Sequence, residues 1–212
     1  LKENGPKKLR INKKKFIYLI SPNKIKKSFY INLNRVLESG KVSFFQLRLK
    51  NMSFEKKLII GEKIKKICKR YKTKFLINDD VLLAKKLNVD GCHLGQKDME
   101  ITKARKIIKK KIIGITCHNS IKLAKFAIKN KADYLAFGAF NYSNTKKTKY
   151  KANLILLKKI KKITNTPIVA IGGINSENYK KLLLNKANFL AISGYVWNNK
   201  KLKPIEAIRK LK

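Results

Sequence analysis

Eight short apolar runs, each followed by a longer stretch faced with lysine, set the strongest limit on what this chain can become. The runs are Phe16–Ser21, Val42–Leu49, Lys74–Asp79, Gly91–Gly95, Ile112–Cys117, Tyr134–Phe140, Pro167–Gly173 and Phe189–Gly194. They have strand length, and several are rich in Ile, Val and Phe. Helical spacing fills the gaps between them. Ser53 is placed to cap a helix with Ile60, Ile64, Ile67 and Tyr71 on one face. Asn119 or Ser120 starts another, with Leu123, Phe126 and Ala127 inward. Ile155, Leu156, Ile160 and Ile163 recur before Pro167, and Asn175 or Ser176 precedes Tyr179, Leu182 and Leu183.

Strict β–α alternation calls for a parallel sheet, because each parallel connection needs a crossover. Eight units within 212 residues favour closure into a single-domain (β/α)₈ barrel over residues 15–212, behind a basic tail at residues 1–14. An open doubly wound sheet would announce itself with a glycine-rich first turn, and the first turn here is Ser21-Pro22-Asn23.

Composition narrows the function classes. No run of eighteen apolar residues is present, so a membrane span is not expected. The first fifteen residues lack the apolar segment of a secretory signal. Cys68, Cys92 and Cys117 form neither a C-x-x-C pair nor a metal-ligand spacing, which fits a reducing cytoplasm. The formal net charge of +41 is spread along the whole chain, mostly as lysine on helix faces. Lys, Ile and Asn are abundant together, as an A/T-rich genome would produce. A polyanion-binding role is the alternative source of the charge.

Polar residues collect at one end of nearly every expected strand. Gln46, Arg48 and Lys50 end the second, and Asn78 and Asp79 the third. His93 lies in the fourth, followed by Gln96 and Asp98; Thr116 and His118 close the fifth. Ser143, Thr145, Lys146 and Lys147 occupy the sixth loop. Gly172-Gly173 closes the seventh strand and Ser193-Gly194 the eighth. In a βα barrel these ends share one rim, where active sites are built.

Each cluster has a chemistry and a plainer alternative. Gln46-x-Arg48-x-Lys50 has period two, so its side chains share the interior face of a strand. Two cations there need an anionic ligand or a salt bridge to a carboxylate such as Asp79. Asp79 and Asp98 on adjacent loops suit Mg²⁺ shared with substrate phosphates, while Asp79 or Asp80 could instead cap a helix. Gly172-Gly173 and Ser193-Gly194 sit where barrels of this kind bind a phosphate through backbone N–H groups, or simply form turns. Two anion sites in one barrel suggest group transfer with pyrophosphate leaving.

The segments Phe45-Gln46-Leu47-Arg48-Leu49-Lys50, Leu76-Ile77-Asn78-Asp79-Asp80-Val81, Asp90-Gly91-Cys92-His93-Leu94-Gly95-Gln96-Lys97-Asp98, Thr145-Lys146-Lys147 and Ile168-Val169-Ala170-Ile171-Gly172-Gly173-Ile174 occur in the order found in thiamine-phosphate synthases. The chain resembles that family from about Phe16 to Trp197. The resemblance implies a Mg²⁺-dependent transferase of thiamine biosynthesis. It would join 4-amino-2-methyl-5-hydroxymethylpyrimidine diphosphate to a thiazole phosphate by a dissociative route, releasing thiamine phosphate and pyrophosphate. It further implies that Arg48, Lys50 and Lys146 bind the diphosphate and that Gln46 and Asn78 contact the pyrimidine or its diphosphate. Asp79 and Asp98 would hold the metal, and Thr116 would lie near the pyrimidine. Ser143 and Thr145 would face the thiazole, whose phosphate would rest on Gly172, Gly173 and Ser193. Three places depart from the family pattern: Phe140-Asn141-Tyr142 in the sixth loop, Leu49, and Ser193-Gly194-Tyr195. A related thiazole tautomerase, using a histidine at the place of His118, and a lysine-coated RNA-binding barrel are the rival readings. Small-molecule substrates are the expected partners, nucleic acid is not, and homo-oligomerisation stays open.

Overall fold

The computed structural model describes residues 15–142 and 149–212. Eight parallel strands close into a barrel in sequence order, each paired with its chain neighbours and β8 with β1. The order is β1 (Ile17–Ile20), α1 (Lys27–Glu38), β2 (Val42–Leu47), α2 (Phe54–Arg70), β3 (Lys74–Asn78), α3 (Val81–Lys86), β4 (Gly91–Leu94) and α4 (Ile101–Ile108). It continues with β5 (Ile112–His118), α5 (Ile121–Lys129), β6 (Tyr134–Phe137), α6 (Leu154–Ile163), β7 (Ile168–Ile171), α7 (Tyr179–Leu184), β8 (Phe189–Ile192), α8 (Gly194–Trp197) and α9 (Pro204–Arg209). Among the described residues no helix is long and apolar enough to cross a membrane. The three cysteines are buried and free.

Strand alternation divides the core in two. Residues of one parity point into the barrel: Tyr18, Phe44, Leu76, Tyr134, Val169 and Phe189 form its filling. Residues of the other parity, such as Leu19, Phe45, Ile77, Cys92 and Leu190, pack under the helices. Gln46 shares the inward parity of Phe44 and is only 3% exposed. The strands stop slightly short of the expected limits, with β2 ending at Leu47 and β6 at Phe137. Backbone geometry explains two such stops. Asp79 takes φ 65° and Gly172 takes φ 108°, values that leave the extended region and turn the chain into its loop.

The helix starts agree with the residues that cap them. Ser53, Asp80, Ser120 and Asn153 accept the N–H groups of Lys56, Leu83, Leu123 and Leu156. One expected helix face is corrected. Phe126 is 51% exposed, and Ala124 turns inward in its place beside the expected Ala127. These small residues let α5 lie close to the barrel, which rotates the bulky ring towards solvent.

A clamp recurs at the opposite end of the barrel. Asp90, Asp133 and Asn188 each immediately or closely precede an even-numbered strand. Their side chains accept the N–H groups of Phe75, Ile113 and Ile168 at the starts of β3, β5 and β7, at 2.8–2.9 Å. Asp133 also binds Arg105 at 2.7 Å. Two of the twelve acids, Asp90 and Asp133, thus fasten strand starts, while Asp79 and Asp98 stand at the opposite rim.

Candidate active site

All strands run parallel, so the polar residues that follow them share one rim. Gln46, Asn78, His93 and Thr116 project from β2, β3, β4 and β5 with inward parity. Arg48 and Lys50 follow β2, Asp79 follows β3, and Asp98 lies in the turn after β4. Gly172-Gly173 follows β7 and Ser193 follows β8. Ser143, Thr145, Lys146 and Lys147 lie outside the described residues.

The cationic and acidic residues meet. Asp79 lies close enough to Asp98 to share a proton with it, and Lys50 and Arg48 are near enough to act on Asp79 electrostatically. Burial raises the Asp79 carboxyl first, and the shared hydrogen bond and negative charge of Asp98 raise it further, to about 6. Lys50 and Arg48 pull in the opposite direction without cancelling the rise. Asp98 is held by the N–H of Gly95 at 2.6 Å. Asp80 is the helix cap, and it approaches Lys57 at 4.0 Å, which leaves Asp79 to the rim. The salt-bridge alternative for the second-strand cations is not realised. Among the described residues, neither Arg48 nor Lys50 has a carboxylate within 4.0 Å. A cleft of about 490 Å³ opens here, lined in part by Lys50, Asn78, Asp79 and Met99.

Ser21, which sequence reasoning passed over, ties this patch to the eighth strand. It is 2% exposed. Its hydroxyl accepts the N–H of Arg48 at 2.9 Å, and its carbonyl accepts the hydroxyl of Ser193 at 3.2 Å. The glycines after β7 are required by close approach. A Cβ at Gly172 would lie 2.5 Å from that of Ala139, and one at Gly173 would lie 2.1 Å from the Tyr142 carbonyl oxygen. The same bareness exposes backbone to a ligand. His118, at φ 52°, stacks on Tyr150 with ring centroids 4.0 Å apart.

Beneath the rim, hydrogen bonds cross the barrel interior. Gln46 joins Asn78 on one side and the Tyr18 hydroxyl, at 2.7 Å, on the other. Tyr18 meets Tyr134 at 2.7 Å, Tyr134 meets His93 at 2.8 Å, and His93 meets Thr116 at 2.8 Å. Gln96 donates to the Thr116 carbonyl. The two tyrosines sit inside apolar runs and read as filling; a polar ring atom in an otherwise apolar inward parity was the available signal.

Such a rim, with cations beside paired carboxylates and bare glycines two strands from closure, defines a (β/α)₈-barrel enzyme built for anionic substrates. Residues 17–196 match the thiamine monophosphate synthase family. The chain is 72% identical over 207 residues to the thiamine-phosphate synthase of Pelagibacter ubique strain HTCC1062, covering 97% of this chain and all of that one. It is 39% identical to that of Erythrobacter litoralis strain HTCC2594, covering 90% and 92%. Its fold superposes on thiamine phosphate pyrophosphorylase from Pyrococcus furiosus with a TM-score of 0.83, at 29% identity and 94% coverage of both chains. The chain belongs to the thiamine monophosphate synthase family.

Proposed function

We propose that this enzyme joins 4-amino-2-methyl-5-hydroxymethylpyrimidine diphosphate to a thiazole phosphate, forming thiamine phosphate and pyrophosphate. Family membership supports the reaction. The observation that carries the site is the meeting of Arg48, Lys50, Asp79 and Asp98 on one rim, where among the described residues no carboxylate lies within 4.0 Å of either cation.

The bond to break joins the pyrimidine methylene carbon to the diphosphate oxygen. Its electron pair leaves with pyrophosphate, and the thiazole nitrogen supplies the pair for the new C–N bond. No protein nucleophile is needed. Arg48 and Lys50 hold the diphosphate and stabilise the charge that grows on it as the bond opens. Lys146 joins them in this reading. Gln46, Asn78 and Thr116 orient the pyrimidine, and Ser143 and Thr145 the thiazole. Gly172, Gly173 and Ser193 fix the thiazole phosphate through the main chain. Ile20, Ala136 and the partly buried Ile171 belong to the apolar filling of the barrel.

The residues fit Mg²⁺. Asp79 and Asp98 are hard oxygen donors held together at a cost that a divalent cation would relieve. Mg²⁺ would take its other ligands from substrate phosphate and water. When bound there, the ion would neutralise charge on the leaving pyrophosphate. Buried free thiols fit a cytoplasmic setting.

Incubation of the full chain with both substrates and Mg²⁺ tests the reading. Stoichiometric thiamine phosphate and pyrophosphate are expected. Isomerisation of the thiazole without pyrophosphate release would instead give the tautomerase role to His118, and no turnover of either kind would overturn the proposal.

A further inference from the structure

Among the described residues, hydrogen bonds inside the barrel run in a line: Thr116, His93, Tyr134, Tyr18, Gln46, Asn78. Both ends stand at the rim, and proton counting fixes how each end presents itself. The Gln46 carbonyl oxygen can only accept, so the Tyr18 proton is committed to it. Tyr18 has no second proton, so the bond between the two tyrosines uses the proton of Tyr134. Tyr134 must then accept from His93 Nδ1–H. In a neutral imidazole Nε2 is the acceptor, and the Thr116 hydroxyl donates to it. At the far end, Gln46 donates to the Asn78 carbonyl oxygen, which leaves the Asn78 NH₂ directed away from the line. The Thr116 oxygen keeps lone pairs, and the Asn78 amide keeps protons. A neutral line with one proton per link always ends in one acceptor and one donor.

Several features hold the line in place. Burial raises both tyrosine hydroxyls well above their ordinary value, so they stay protonated. His93 and Tyr134 stack at 5.6 Å with planes 13° apart. Gly114 makes the space: a Cβ there would lie 1.8 Å from the Tyr134 ring. Asn78 on β3 is level with Gly114 on β5, and Thr116 stands two residues nearer the rim.

We infer that Tyr18, Tyr134 and His93 are positioning residues that set the hydrogen-bond sense of the pyrimidine subsite, with Thr116 accepting from the exocyclic amino group and Asn78 donating to a ring nitrogen. This rests on the function proposed above. It makes the site selective for an aminopyrimidine over a ring that lacks the amino group or carries an oxo group in its place.

Two measurements on the full chain test it. The first is calorimetric binding of the pyrimidine diphosphate and of its analogue with hydrogen in place of the amino group. Wild type should prefer the amino compound. Tyr134→Phe and Thr116→Val should each reduce that preference about tenfold, the worth of one hydrogen bond. Thr116→Ser should restore most of it, and thiazole phosphate affinity should not move. An unchanged preference in Tyr134→Phe that still melts cooperatively would overturn the inference. The second needs no variant of the line: a histidine-selective ¹⁵N spectrum of wild type, with His118→Gln to assign its two histidines. His93 should be neutral with its proton on Nδ1. The Nε2–H tautomer, or an imidazolium, would overturn the assignment whatever the variants do. Failure of wild type to make thiamine phosphate would reject the proposed function, and it would leave the tautomer reading of the line separately decided.

Discussion

Asp79 combines a left-handed backbone, at φ 65°, with a carboxyl raised to about 6 by burial and by Asp98. Its folded value lies above the ordinary 3.8, so the folded protein binds this proton more tightly than the unfolded chain does. The associated stability is present below about pH 4 and lost as pH rises through 6. Asp79→Asn should therefore raise the melting temperature of the metal-free protein at pH 8. The gain should shrink at pH 5, and Asn tolerates the same backbone region. A variant less stable than wild type at pH 8 would contradict the electrostatic account. Asp98→Ala should relieve the same repulsion yet cut turnover at least about 100-fold and raise the Mg²⁺ needed for half-maximal rate. Steady-state rates against Mg²⁺ concentration check this, and unchanged activity at low Mg²⁺ would remove Asp98 from the site.

At the scale of elements, the two ends of the barrel have different tasks. The clamp residues Asp90, Asp133 and Asn188 fasten strand starts far from the chemistry. Asp133→Ala removes the side-chain acceptor of the Ile113 N–H and the carboxylate paired with Arg105, which keeps its bonds to the Lys109, Lys111 and Lys131 carbonyls. It should cost about 2–4 kcal/mol, several degrees in melting temperature, while the folded fraction keeps the wild-type kcat. Thermal melts paired with assays decide it; an intact melt with lost turnover would reverse the division. The eight-unit order and the single rim were legible because alternation and parity are local, repeating signals. Gln46, Asn78, Asp79 and Asp98 were legible because polar residues interrupted apolar runs. Tyr18 and Tyr134 were not, since their meeting spans 116 positions and depends on barrel closure. Gly114 read as one more strand residue until the ring above it was seen. Phe126 misled because periodicity marks a face without saying how closely a helix docks.

Across the whole molecule, 53 Lys and Arg against 12 Asp and Glu leave a strongly self-repelling surface. Salt screens such repulsion over a Debye length of about 10 Å at 0.1 M. The melting temperature should therefore rise between low salt and physiological ionic strength, and a flat or falling curve would show that the lysines are already locally balanced. The same field favours approach of phosphorylated substrates to a rim where, among the described residues, Arg48 and Lys50 have no carboxylate within 4.0 Å. In the function proposed above, the barrel would bring two anionic substrates to one mouth, with pyrophosphate between the second and fourth strands and the thiazole phosphate at the seventh and eighth. A crystal structure grown with thiamine phosphate, pyrophosphate and Mg²⁺ tests that arrangement most directly. Pyrophosphate should lie between Arg48, Lys50 and the metal on Asp79 and Asp98, with the ester phosphate over Gly172, Gly173 and Ser193. Density for either group outside that rim, or a metal bound away from both aspartates, would contradict it.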